Sequence, residues 1–273
     1  MNIPFVKAHG ALNDFLLTWA HDVPETADLP ALAKAICHRN SGIGADGWMV
    51  VRPGSGDANG AIQLINSDGS PSEISGNGTR CAAALLVREG HAPAGHVTIR
   101  TGAGNKDLEV KHRDGNHFLF EMNMGPASFP GDVRSMLDLK QGPTDVTILN
   151  VGNPQCAMFV DGFDWDWRTL GREIEHHSRF KYRTNVSFVR VISPDRLEVR
   201  FYERGAGETQ SSGTGSTGAA AAALARGLIR GPVTVDTPAG PLHITWRNED
   251  IYLTGPAELT AQGFFYWNGL ESK

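Results

Sequence analysis

The chain says almost the same thing twice, and that repeat limits its fold more than any other feature: whatever one half forms, the other must form too. "ISGNGTRCAAALL" (74–86) and "SSGTGSTGAAAAAL" (211–224) share a Ser-Gly-x-Gly opening followed by an alanine-rich stretch, with Ser75 and Ser212 137 positions apart. The alternating segments "IQLIN" and "LEVRFYE" stop shortly before those openings, and Asn66 and Glu203 are again 137 apart. "TIRTGAG" (98–104) and "TVDTPAG" (234–240) match at a spacing of 136. Asn13 and Asn153, 140 apart, each lead an apolar strand, as do Asp46 and Asn185, 139 apart. Five matches at nearly one offset describe two related halves of ordinary domain size.

Each half reads as several short strands with one prominent helix. Period-two alternation predicts strands at 61–66, 117–122, 146–151, 156–160, 196–201 and 242–246. Alanine favours helix strongly, so helices are expected from about Asn77 and Thr214, with outer ones at 29–39 and 166–177. Ala82–Leu86 and Ala219–Leu224 are apolar on every side, as a buried helix is. The expected architecture is α+β: two pseudo-symmetric α/β domains, each a mostly antiparallel curved sheet around a central helix, with an active-site cleft between them. The expected division is 1–116 and 117–262, crossing near "RDGNH" (113–117), with the last ten or so residues packing back on the first half.

A net charge of −5 gives no field that would draw nucleic acid or an anionic membrane surface, so neither partner is expected. Cys37, Cys81 and Cys156 are odd in number and lack metal-ligand spacing, which suits buried free thiols in a reducing compartment. The ten histidines, including the adjacent His176–His177, have no ligand partners at metal spacing, and the pair is expected on a solvated helix face. The N-terminal stretch lacks the basic and apolar pattern of a signal peptide, and no apolar run is long enough to span a bilayer. A soluble cytoplasmic protein is the expectation.

A helix N-terminus offers unpaired N–H donors and about half a positive charge, and neighbouring glycines let an anion approach the backbone. Two equivalent ends suit a small carboxylate ligand; the alternative for either alone is a tight serine cap. "GTGSTG" (213–218), with Asp236 further on, also resembles a dinucleotide fingerprint. Ten residues separate its strand from its glycines, and the first-half loop lacks the third glycine, both against that reading. Asn13, Asn66, Asn153, Asn185, Glu203 and Arg204 sit at strand ends in repeat-equivalent places, a set able to hydrogen-bond both an ammonium and a carboxylate. Taken singly, such residues also make Asx turns and a surface ion pair.

"HGALNDF" (9–15), "GIGADG" (42–47), "NSDGS" (66–70), "GNGTRC" (76–81), "GNPQC" (152–156) and "ERGAGET" (203–209) together resemble, in order and from end to end, the motifs of the diaminopimelate epimerases. That family belongs to the cofactor-independent amino-acid racemases. The resemblance implies a fold of two mirrored α/β halves, a homodimer, no pyridoxal phosphate, and interconversion of LL- and meso-diaminopimelate in lysine and cell-wall precursor synthesis. It implies that the amides of Gly76–Asn77 and Gly213–Thr214 bind the reacting α-carboxylate. Asn13, Asn66, Asn153, Asn185, Glu203 and Arg204 would then hold the rest of the substrate.

The family uses two cysteines immediately before the two Gly-x-Gly turns, one removing the α-proton while the other supplies one from the opposite face. Here those positions are Ser75 and Ser212, and Gln155 stands where the third motif usually has histidine. A thiol near pKa 8.5, lowered by a helix N-terminus, titrates close to working pH, whereas an alcohol needs a strong neighbouring base. Glu203 is the candidate helper; Gln155 cannot titrate. Three readings stay open: an epimerase with serines at the acid–base positions; another isomerase or a dehydratase on the same scaffold with Glu203 as its one base; and a diamino-acid binder that does no chemistry.

Overall fold

The computed structural model describes residues 1–54 and 56–267. They divide into two units, Met1–Met122 with the described residues from Gly255 onward, and Asn123–Thr254. In chain order the first repeat contains β1 (Asn2–Gly10), β2 (Asn13–Trp19), α1 (Leu29–Cys37), β3 (Gly47–Pro53), β4 (Gly60–Asn66), β5 (Pro71–Ser72), α2 (Gly76–Arg88), β6 (His96–Thr101), β7 (Gly104–Asp114) and β8 (His117–Pro126). After β9 (Ser135–Leu139), the second contains β10 (Gly142–Asn150), β11 (Pro154–Phe159), α3 (Trp167–Glu175), β12 (Asn185–Ser193), β13 (Arg196–Glu203), β14 (Gly207–Thr209), α4 (Gly213–Ala225), β15 (Val233–Thr237), β16 (Gly240–Arg247) and β17 (Asp250–Tyr266).

The pairing repeats strand for strand. In the first unit β1–β2 is antiparallel, β2–β3 parallel, β3–β4 and β4–β5 antiparallel, β4–β6 parallel, and β6–β7 antiparallel. In the second, β10–β11, β11–β12, β12–β13, β13–β14, β13–β15 and β15–β16 follow in the same senses. Even a turn is copied. Thr101 Oγ1 donates to the Gly104 carbonyl at 2.8 Å and accepts from the Ala103 amide at 3.1 Å; Thr237 does so with Gly240 at 2.7 Å and Ala239 at 3.2 Å.

Small side chains explain why α2 and α4 are enclosed. Ala82–Ala84 in α2 and Ala219–Ala223 in α4 are buried throughout, so each helix is wrapped by its own unit's strands rather than lying on one face. The outer helices are one-sided: α1, capped by Asp28 on the Ala31 amide, buries Leu32, Ala33, Ile36 and Cys37, and α3, capped by Asp166 on the Thr169 amide, buries Leu170 and Ile174.

Two expectations are corrected. "RDGNH" is the tight turn of the antiparallel β7–β8 hairpin, and the first unit passes into the second later, inside β8. A hairpin with a left-handed Gly115 reverses the chain locally and carries it nowhere new. His176 and His177 lie past the end of α3, His176 being its C-cap: the helix stops at Glu175, and the two rings meet the carbonyls of Arg172 in α3 and Asp138 in β9. From Gly255 the chain rejoins the first unit, where β17 pairs with β1 from His9↔Glu258 to Asn2↔Tyr266. Residues 268–273, the far end of the tail expected to pack back, lie outside the described residues.

Candidate active site

Ser75 and Ser212 are N-caps. Each has extended backbone and accepts the N3 amide on its hydroxyl, Gly78 on Ser75 Oγ and Gly215 on Ser212 Oγ, both at 3.1 Å. One of the orphan donors at each helix end is thus used, and those of Gly76 and Asn77, and of Gly213 and Thr214, meet no acceptor among the described residues. The capping reading and the anion reading are therefore compatible: the serine takes one donor and leaves two.

At the α2 end the side chains form a row. Asn77 Nδ2 donates to Asn13 Oδ1 at 3.3 Å, and Asn13 Nδ2 donates to Asp46 Oδ2 at 2.7 Å. Asp46 and Asp14 share Arg39, and Lys7 adds a second cation to Asp14. Burial pushes the Asp14 carboxyl up, but hydrogen bonds and charge from Arg39 and Lys7 outweigh it and hold it below the usual carboxylate range. Asn66, at the end of β4 and opposite Gly47, donates to Ser70 Oγ at 3.0 Å.

At the α4 end the chemistry differs. Ser212 Oγ donates to Glu203 Oε2 at 2.8 Å, and Thr209 Oγ1 donates to Glu203 Oε1 at 2.6 Å. The first contact joins a hydroxyl at a bare helix end to a carboxylate able to take its proton. Asn153 Nδ2 donates to Thr214 Oγ1 at 3.2 Å, and Gln155 Nε2 to Asn153 Oδ1 at 2.7 Å, while Gln155 Oε1 is buried without a partner. Asn185 holds the loop after β13, donating to the Pro154 carbonyl at 3.0 Å and accepting from the Arg204 amide at 3.1 Å. The exposed Arg204 guanidinium donates to the Tyr182 carbonyl at 3.4 Å. Ser75 Oγ has no carboxylate partner among the described residues.

Sequence reasoning missed three contributors. Thr209 braces Glu203, buried Glu175 accepts the Gly205 amide at 2.8 Å, and Arg80 lies wholly buried in α2. Only Arg80 left a signal, a cation inside an otherwise small and apolar helix. The three cysteines are buried and free, and burial raises each thiol to about 12, so none supplies a thiolate near neutral pH. The hairpin strand β14 separates β13 from Gly213, so "GTGSTG" lacks the direct strand-to-helix turn of a dinucleotide site. Among the described residues no cluster of three His, Cys, Asp or Glu could hold a metal, and no helix is long and apolar enough to cross a membrane.

The diaminopimelate epimerase family model matches residues 5–130 and 147–260. Similar curated proteins include the diaminopimelate epimerase of Synechococcus elongatus, 38% identical with 94% of this chain and 96% of the relative covered. That of Halothermothrix orenii is 35% identical, with 96% and 98% covered. Among solved structures, a probable proline racemase from Agrobacterium radiobacter has a TM-score of 0.76 at 15% identity, covering 99% of this chain and 94% of that one. A hydroxyproline epimerase from Agrobacterium vitis has 0.73 at 14%, covering 96% and 92%. At such identities the solved structures speak for the fold alone.

Proposed function

The chain belongs to the diaminopimelate epimerase family, and on that premise we propose that it inverts an α-carbon of diaminopimelate without pyridoxal phosphate, using Ser212 with Glu203 on one face and Ser75 on the other. The observation that carries the reading is the 2.8 Å bond from Ser212 Oγ to Glu203, beside the free amides of Gly213 and Thr214.

In this mechanism free helix-end amides hold the α-carboxylate and stabilise the negative charge that spreads onto it as the α-proton leaves. Ser212 Oγ accepts the α-proton as its own proton passes to Glu203, so the alcohol never stands alone as an alkoxide. Ser75 donates its hydroxyl proton to the opposite face and is reprotonated from water. Asn13, Asn66, Asn153, Asn185 and Arg204 hold the distal amine and carboxylate. Among the described residues Ser75 has no carboxylate like the one at Ser212, which favours one second reading, an isomerase or dehydratase needing a single base.

Incubation with LL-diaminopimelate in deuterium oxide, followed by NMR at the α-position, tests this. Exchange and inversion from both LL and meso substrates are expected. Exchange from one configuration alone would establish the single-base enzyme instead, and tight binding without exchange would establish a binding protein.

A further inference from the structure

Arg80 is 0% exposed, within the first turns of α2. A buried cation carries a large desolvation penalty unless an anion compensates it. Arg80 makes no ion pair with a carboxylate among the described residues. Its guanidinium meets neutral oxygens: Nε donates to the Pro256 carbonyl at 3.0 Å, Nη1 to the Gly76 carbonyl at 3.3 Å and Nη2 to Asn77 Oδ1 at 2.5 Å. Burial lowers its pKa to about 10, which leaves it charged at neutral pH.

The contact with Asn77 gives the α2 row a direction. Arginine can only donate and the Asp46 carboxylate can only accept, so the two amides between them have one orientation, oxygen toward Arg80 and nitrogen toward Asp46. Each amide oxygen is then occupied, while each amide nitrogen keeps a second hydrogen. Beside them are the free backbone amides of Gly76 and Asn77 at the positive end of the helix. Space leaves no slack, since a side chain at Gly10 would put its first carbon 3.0 Å from the Asn77 carbonyl and 3.2 Å from Arg80 Nη2. The repeat-equivalent of Arg80 is Thr217, neutral and bonded to the Gly213 carbonyl at 2.8 Å.

We infer that Arg80 is a positioning residue that turns the α2 end into a donor-only seat for a carboxylate: it orients Asn77 and Asn13, and the bound carboxylate is the anion that balances its charge. The inference deepens the function proposed above and rests on it. It divides the labour between the repeats, with carboxylate affinity concentrated at α2 and proton transfer at the Glu203-bearing α4.

Calorimetric titration of the full chain with LL-diaminopimelate, with melting temperature recorded for each variant, tests this. Arg80→Met should weaken binding about 10- to 100-fold, the scale of a lost charged hydrogen bond, and raise KM for α-proton exchange far more than it lowers kcat. Arg80→Lys should recover part of the affinity through its charge. Asn77→Asp keeps the shape but gives the guanidinium a permanent partner, so it should lose affinity comparably while melting no lower than wild type. If the wild-type chain binds and Asn77→Asp binds equally well, the inference is overturned alone. If the wild-type chain neither binds nor exchanges, the proposed function falls and takes the inference with it.

Discussion

At the residue scale, the two serines decide how fast the chemistry can run. Positioned acid–base groups of suitable pKa contribute about 10²- to 10⁴-fold, and an alcohol forgoes most of that. The double variant Ser75→Cys with Ser212→Cys is therefore expected to raise the exchange rate about 100-fold or more. It should also melt lower than wild type, because a thiol is a poor N-cap acceptor and losing a good cap costs about 1 kcal/mol per helix. Iodoacetamide should then inactivate the double variant and leave the wild type untouched, since Cys37, Cys81 and Cys156 are buried thiols raised to about 12. Asp14 makes a different residue-scale case. Its folded pKa lies below the unfolded value of about 3.9, so its contribution to stability is complete above that pH and disappears as pH falls through the folded value. Thermal melts between pH 6 and pH 2 should show Asp14→Asn less stable than wild type at pH 6, with the gap closing in acid. An equal gap throughout would count against the Arg39–Lys7 network.

At the scale of elements, the glycines at the helix starts matter as much as the caps. Alanine in place of a helical glycine gains up to about 1 kcal/mol of propensity, but only where there is room. An added methyl at Gly215 would lie 2.7 Å from the Phe201 ring, itself fully buried, so Gly215→Ala is expected to cost about 1–3 kcal/mol in denaturant titration. At Gly78 the nearest atom is the end of the Met49 side chain at 2.4 Å, which can swing aside, so Gly78→Ala should cost less. Both helices and their serine-capped openings were legible in the sequence because small residues, alanine runs and the repeat all say the same thing locally. What joins those openings to their surroundings was not. Ser212 and Glu203 are nine positions apart across β14, and Arg80 reaches Pro256, 176 positions away. Periodicity carries no information about contacts that long-range pairing creates.

At the scale of the whole molecule, the repeat foretold two units of one design but not where the chain changes units. The crossing inside β8 and the return along β17 are invisible to alternation, which reads a strand the same way whichever unit it enters. The two units differ in self-sufficiency as a result. Within residues 123–254, β10 through β16 pair with one another, with β9 and with the start of β17. The first unit needs residues from beyond the second: Phe265 and Trp267 pack in its core with Ile3 and Leu16, and Glu258 meets His9 and His117. A fragment of 123–254 should melt cooperatively by circular dichroism, whereas 1–122 should not; a folded 1–122 would show that the returning strand is dispensable. The same thread sets a timetable for synthesis. The ribosome releases the whole of the later-encoded lobe before it delivers the strand that lies along β1, so the lobe begun first is completed last. Until residues 258–266 have been made β1 keeps one flank open, and that interval is when a newborn chain of this design most needs protection from its neighbours.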